Sequence, residues 1–338
     1  MRALVLSAPA SIESAPLRLD ERPIPAPGSG EILVRVSACG VCRTDLHVVE
    51  GELPPIRPSV VPGHQVVGRV EAAGGGAGRF QLGDRVGIAW LRGTCGVCEA
   101  CRSGRENLCE RAVFTGYHAD GGYADYAVVS EAFAYALPPV FGDAEAAPLL
   151  CGGIIGYRAL KLSEVAPGGR LGIYGFGASA HVTLQVARAR GCEVFVCTRE
   201  ESHRALARRL GASWVGAIQD PMPAKMHGTI LFAPVGELVP VALRNLGRGG
   251  VLALAGIYMT PVPPLDYERD LFYERSVRSV TANTRADGEE LLTEAARIPI
   301  RTATTTFPLE DANRALALLK RGAFVGAGVL LTGEGSRV

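Results

Sequence analysis

Lysine is nearly missing from this chain of 338 residues: it occurs only at Lys161, Lys225 and Lys320, and arginine supplies the rest of the basic charge. Such a bias suits either genome composition or heat tolerance. Net charge is also scarce, since 35 basic side chains against 34 acidic ones leave +1 at neutral pH. A balance of that kind argues against nucleic acid or an anionic membrane surface as the main partner. No apolar run approaches the roughly 18 residues that span a bilayer. The N-terminus, MRALVLSAPASIESAP, has no basic segment followed by a long apolar one, so it does not read as an export signal. Internal repeats, low-complexity tracts and disordered linkers are missing too. These absences predict a soluble, cytoplasmic protein with no nucleic-acid and no membrane partner.

The length suggests about two domains. As far as Tyr135 the pattern is short β-like runs punctuated by Gly and Pro: Ala3 to Leu6, Ile32 to Val36, Val66 to Glu71, Arg85 to Trp90 and Tyr123 to Val129. This predicts a barrel-like or sandwich-like β domain. From Ile154 to Asn283 strand and helix alternate. Strands are expected at Leu171 to Tyr174, Val194 to Thr198, Trp214 to Gly216, Thr229 to Ala233, Val251 to Gly256 and Arg278 to Ala282. Helices are expected at Val182 to Arg190 and Ser202 to Leu210, with Ser202 as N-cap and Gly211 as stop. Alternation of this kind implies right-handed βαβ units and a doubly wound parallel sheet. A last β-like run, Thr302 to Phe307, and a helix from Leu309 to Arg321 are expected to return to the first domain. The expected division is 1–151 with 286–338, and 152–285.

Nine cysteines in a chain without an export signal favour metal ligation over disulfides. One group lies between Cys39 and His47, where thiols, a hydroxyl, a carboxylate and an imidazole fall within nine residues after the Ile32 to Val36 run. Pro62-Gly63-His64 offers a nitrogen ligand and Leu149-Leu150-Cys151 a further thiolate. Two cysteines and a histidine from three segments would make an open zinc site with a fourth position free.

A second group has the spacing C-x2-C-x2-C-x7-C, at Cys95, Cys98, Cys101 and Cys109. Four thiolates from one compact loop suit a closed, structural zinc site. Iron–sulfur ligation fits less well, because the ferredoxin run brings its fourth cysteine after three residues and then a proline, whereas Glu110 follows here. Buried or disulfide-paired cysteines remain the plain alternative.

The strand expected at Leu171 to Tyr174 runs into Gly175-Phe176-Gly177-Ala178-Ser179-Ala180 and then a helix. That is G-x-G-x-x-A in its proper context, with Gly175 and Gly177 allowing a tight turn and Ala178 and Ala180 opening the helix toward a pyrophosphate. An NAD-selective enzyme would place an acid at the end of the next strand. Here Thr198 stands there, followed by Arg199 and Glu200, with Arg204 further on. A hydroxyl and a guanidinium suit the 2′-phosphate of NADP(H), so NADP(H) is favoured over NAD(H). In the other reading Arg199 is merely solvated and Glu200 grips the ribose.

With these segments in hand, the chain resembles the zinc-dependent medium-chain alcohol dehydrogenases over nearly its whole length. The likeness is carried by GVCRTDLH at 40–47, PGH at 62–64, the four-cysteine lobe, LLCGG at 149–153 and GFGASAH at 175–181. It implies a GroES-like β-barrel domain and a Rossmann domain with a cleft between them, and a homodimer or homotetramer joined through the Rossmann sheets. It makes Cys42, His64 and Cys151 the catalytic zinc ligands, for two zinc ions per chain. Thr44 would bond the substrate alcohol, His47 would pass its proton to solvent, Arg43 would meet the cofactor pyrophosphate, and Asp45 would orient the ring of His64. The chain departs from the family pattern twice. Gln65 follows the ligand histidine where a glutamate is common, and Gly326-Ala327-Gly328-Val329 stands where relatives often carry a phosphate-facing arginine.

The activity implied is hydride transfer between primary or secondary alcohols and NADP(H) or NAD(H), giving aldehydes or ketones. Trp90 and Leu91 are candidates for an apolar pocket wall, or for plain core. The rivals are a zinc-free quinone or enoyl reductase of the same superfold, a polyol or sugar dehydrogenase, and a non-catalytic zinc-loop binding protein. The ligand set opposes the first, Trp90 and Leu91 the second, and the neutral charge the third.

Overall fold

The computed structural model describes residues 1–298 and 300–333. Residue 299 and the last five positions of the expected first domain, 334–338, lie outside the described residues. The chain divides into two compact units, one made of Met1–Cys151, Ala282–Thr293 and Thr302–Val338, the other of Gly152–Thr281 and Glu294–Arg301. The helix Arg285–Arg297 therefore contributes to both.

In the first unit the organising element is the strand Glu31–Val41, longer than the Ile32 to Val36 run expected. Along one edge it pairs antiparallel with Val66–Ala73. Its other edge is shared, the first half with Tyr126–Ser130 and the second with Ala327–Leu331. Bulges between Leu33 and Val34 and between Val36 and Ala38 bend it. Val66–Ala73 then leads to Arg85–Ile88 and Ala134–Ala136, while Thr304–Pro308 pairs parallel with Ala327–Leu331. Side chains alternate across these strands, so Ile32, Val34, Val36, Val66, Val70, Val86 and Ile88 meet in one buried cluster. Two departures from expectation stand out. Trp90 ends no strand, because Arg85–Ile88 stops before it and Leu91–Gly93 begins a separate ribbon with Val113–Phe114. Gly328 lies in a strand opposite Val41, so the segment read as lacking an arginine is a sheet element.

The second unit is a six-stranded sheet, every pairing parallel, in the order Trp214–Gly216, Glu193–Cys197, Arg170–Tyr174, Met226–Leu231, Leu246–Leu254, Ser276–Ser279. This is the doubly wound dinucleotide-binding order, with its switch beside Arg170–Tyr174. The helix after that strand begins at Ala178, a turn earlier than Val182. The next helix, Glu201–Arg209, has Glu200 as its N-cap, so Ser202 sits inside the first turn and caps nothing. Among the described residues no helix is long and apolar enough to cross a membrane.

Candidate active site

At the end of Glu31–Val41 the chain turns at Cys42 into the helix Arg43–Glu50. Cys39 and Gly40 are thus still strand residues, and the chemistry-bearing run from Cys42 to His47 lies just past the strand end, at the start of a helix. Asp45 makes that start: its Oδ2 accepts the Cys42 backbone N–H at 2.9 Å, the role a glutamate has in a capping box. Asp45 is buried, and its Oδ1 also accepts from Gly63 N at 3.1 Å and from His64 Nδ1 at 2.8 Å. Since an ionised carboxylate only accepts, His64 Nδ1 carries a proton, and Nε2 is the nitrogen left to bind a metal once its own proton is displaced. Nε2 faces Cys151 Sγ at 3.2 Å, and Cys151 Sγ lies 3.9 Å from Cys42 Sγ. The three candidate ligand atoms fall within 4.8 Å of one another.

Bonds of the length zinc makes to thiolate, at tetrahedral angles, put two sulfurs about 3.8 Å apart. The observed spacing therefore fits that ion. The electrostatics fit as well. The Cys42 thiol is held well below its usual range, first by a hydrogen bond from Cys151 and also by His64, although burial opposes both. Burial pushes His64 down, yet Asp45 and Cys42 outweigh it and carry it up to about 10.

Gly63 is required here. Its φ is +95°, and an added Cβ would lie 2.4 Å from Tyr123 Cδ1. Thr44 is buried with its Oγ1 3.8 Å from Cys42 Sγ, His47 is partly exposed with Nδ1 on Glu52, and Arg43 is exposed on the first turn. Trp90 meets the His64 ring edge to face at 5.0 Å and stacks on Phe114 at 4.9 Å. It borders the site, whereas Leu91 is core. Gln65 is buried against Gly40.

Cys95, Cys98, Cys101 and Cys109 converge on a second point, all four sulfurs within 4.8 Å, and the Cys95 and Cys101 sulfurs are 3.8 Å apart. Backbone N–H groups of Val97 and Cys98 bring Cys95 down to about 5. Its hydrogen bond in turn holds Arg111 up. All nine cysteines are free thiols.

In the second unit Gly175 turns at φ +86°, and its N–H donates to Cys197 O at 2.8 Å, tying the turn to the next strand. A Cβ on Gly177 would meet open space, and the helix of 12 residues beginning at Ala178 has no side-chain cap. An open cradle before an uncapped N-terminus suits a pyrophosphate. Ala180 is buried under it. Thr198 is buried at the strand end, while Arg199 and Glu200 are exposed. Arg204 is committed elsewhere: Nη1 donates to Thr198 O at 3.0 Å and Arg199 O at 2.9 Å, and Nε to Glu201 at 2.7 Å, so it braces the loop.

Sequence reasoning missed Tyr123, whose hydroxyl reaches Asp45 Oδ2 from 78 positions away, and Glu52 beside His47. No spacing rule links residues so distant, and Tyr123 reads as the start of a strand.

Residues 28–139 match the model of the alcohol dehydrogenase GroES-like domain, and residues 178–297 that of the zinc-binding dehydrogenase. A probable alcohol dehydrogenase, AdhA, of Mycobacterium tuberculosis is 52% identical over 336 residues, covering 98% of this chain and 97% of its own. Among solved structures, a cinnamyl alcohol dehydrogenase of Sorghum bicolor is similar at a TM-score of 0.88 and 28% identity, over 97% of this chain and 96% of that one. Acetophenone reductase of Geotrichum candidum, in complex with NAD, gives 0.87 and 26%, over 98% and 97%. Two matched domains, near-complete coverage by the tuberculosis relative and a shared fold leave one conclusion: the chain belongs to the zinc-type medium-chain alcohol dehydrogenases and is an oxidoreductase.

Proposed function

We propose that the enzyme interconverts primary or secondary alcohols with aldehydes or ketones at a zinc ion held by Cys42, His64 and Cys151, using NADP(H) in preference to NAD(H). The observation that carries this is the convergence of those three ligand atoms with Asp45 fixing the tautomer of His64. A second zinc is assigned to Cys95, Cys98, Cys101 and Cys109, as a structural ion. The chemistry the bound groups supply is Lewis-acid activation of an alcohol oxygen by zinc and hydride acceptance by the nicotinamide. The chain does the rest. Thr44 Oγ1 would accept the alcohol proton while releasing its own hydroxyl proton, and His47, at the partly exposed face of the same helix, would release a proton to solvent in turn. Trp90 presents an apolar face beside His64, which suits an apolar alcohol better than a polyol. Gly175, Gly177, Ala178 and Ala180 shape the pyrophosphate cradle, and Thr198 with Arg199 lies at the end of the next strand, where the ribose would be met. An assay of NADPH oxidation with a panel of aldehydes and ketones tests the reading, and no turnover with any of them would refute it.

His47→Gln should slow alcohol oxidation by up to about a hundredfold near pH 6 and less at pH 9, because without the relay the proton must leave through hydroxide or buffer. Added imidazole should restore part of the rate. A pH profile parallel to that of the parent, with no rescue, would remove His47 from the relay.

The assembly proposed is a homodimer or homotetramer formed through the edge strand Ser276–Ser279. Among the described residues that edge pairs with no strand on its outer side, and it carries exposed Val277, beside exposed Phe272 and Tyr273. An unpaired strand with apolar side chains is a pairing surface. Val277→Glu should shift the protein to monomer in sedimentation with its thermal midpoint nearly unchanged. A parent that already sediments as a monomer would rule this out.

A further inference from the structure

Asp45 has a fourth donor that the mechanism above does not use. The hydroxyl of Tyr123, a residue with no exposed surface, donates to Asp45 Oδ2 at 3.1 Å. With the Cys42 N–H on the same oxygen and the Gly63 N–H and His64 Nδ1–H on the other, the carboxylate receives two bonds per oxygen. An ionised carboxylate has about four acceptor sites, so the set is complete. Tyr123 is itself fixed. Its N–H donates to Pro62 O at 3.0 Å and its O accepts from Leu4 N at 2.8 Å, while the preceding Gly122 N–H donates to Gly63 O at 2.8 Å. Its ring lies so close on Gly63 that no side chain fits there. One residue thus holds both the backbone that carries His64 and the carboxylate that aims it.

We propose that Tyr123 is a positioning residue for the metal site: through the Asp45 carboxylate and the Gly63 backbone it holds the His64 imidazole in the ligating orientation. The inference rests on the metal reading given above. Outer partners of a ligating histidine usually contribute 10- to 100-fold in metal affinity, and a residue one contact further out belongs at about the lower end of that range.

The test is zinc affinity at each site, read by competition with a chromophoric chelator, in parent, Tyr123→Phe, Asp45→Asn, the double variant and Tyr135→Phe. Tyr123→Phe should weaken zinc at Cys42, His64 and Cys151 by about tenfold and leave the four-cysteine site unchanged. In the Asp45→Asn background the same change should have no further effect, since the two act in series. Tyr135 is another buried tyrosine, with its hydroxyl on Asn283, and its Phe variant controls for the loss of a buried hydroxyl. An unchanged affinity, equal weakening at both sites, or effects that add to those of Asp45→Asn would overturn the proposal. A parent that binds no zinc at the Cys42 site would instead remove the metal reading itself, and that failure is visible before any variant is compared.

Discussion

Replacing His64 with alanine is expected to cut kcat/KM by at least about a thousandfold while leaving NADPH affinity within about twofold of the parent. The side chain supplies the only nitrogen ligand of the candidate set, and its loss leaves Cys42 and Cys151 facing an incomplete site. Lewis-acid activation contributes several kcal/mol of transition-state stabilisation, and each 1.4 kcal/mol or so is a factor of ten in rate. The dinucleotide turn at Gly175 to Ala180 belongs to the other compact unit, with its own buried core, so its binding should survive. Cys42→Ser should behave the same way. Steady-state kinetics with a fluorescence titration of NADPH would check both halves. Retention of more than a tenth of the parent rate by His64→Ala would move the chemistry elsewhere.

The second large effect expected is a reversal of cofactor choice. The parent should prefer NADP over NAD by roughly ten- to a hundredfold in kcat/KM, because the proposed charge-assisted pair between Arg199 and a 2′-phosphate would contribute roughly 1.5 to 3 kcal/mol. The buried Thr198 puts no negative charge at the strand end, and Arg199 is exposed and able to turn toward a ligand. Arg204 supports this indirectly, by holding the carbonyls of Thr198 and Arg199 in place. Thr198→Asp combined with Arg199→Ala should make NAD the better cofactor, since it removes the cation and adds a carboxylate that can accept from a free ribose diol. A parent that prefers NAD would overturn the assignment and make Glu200 the ribose partner.

The features legible in the sequence were those written in local spacing. The four-cysteine lobe, the glycine turn and the alternation after Ile154 each declare themselves within a few residues. What stayed hidden depends on contacts made across the fold. The helix Arg43–Glu50 carries β-branched Val48 and Val49 and begins with a cysteine where a capping serine or threonine would have announced it. The strand Glu31–Val41 continues through Ser37, Cys39 and Gly40, weak strand formers, because neighbours pair with it on both edges there. Glu200, and not Ser202, occupies the N-cap position, since the backbone leaves the extended region two residues earlier than a cap at Ser202 would require. Leu91 is core and its neighbour Trp90 borders the site, a distinction that two adjacent apolar residues cannot show by themselves.

The central claim is that two distinct metal sites exist and that the open one carries the chemistry. Counting zinc per chain by elemental analysis, in parent, His64→Ala and Cys98→Ser after metal repletion, tests it most directly. The account predicts about two ions in the parent. It predicts about one in His64→Ala, and at most one in Cys98→Ser, with a lowered melting temperature. One ion in both the parent and His64→Ala would contradict it.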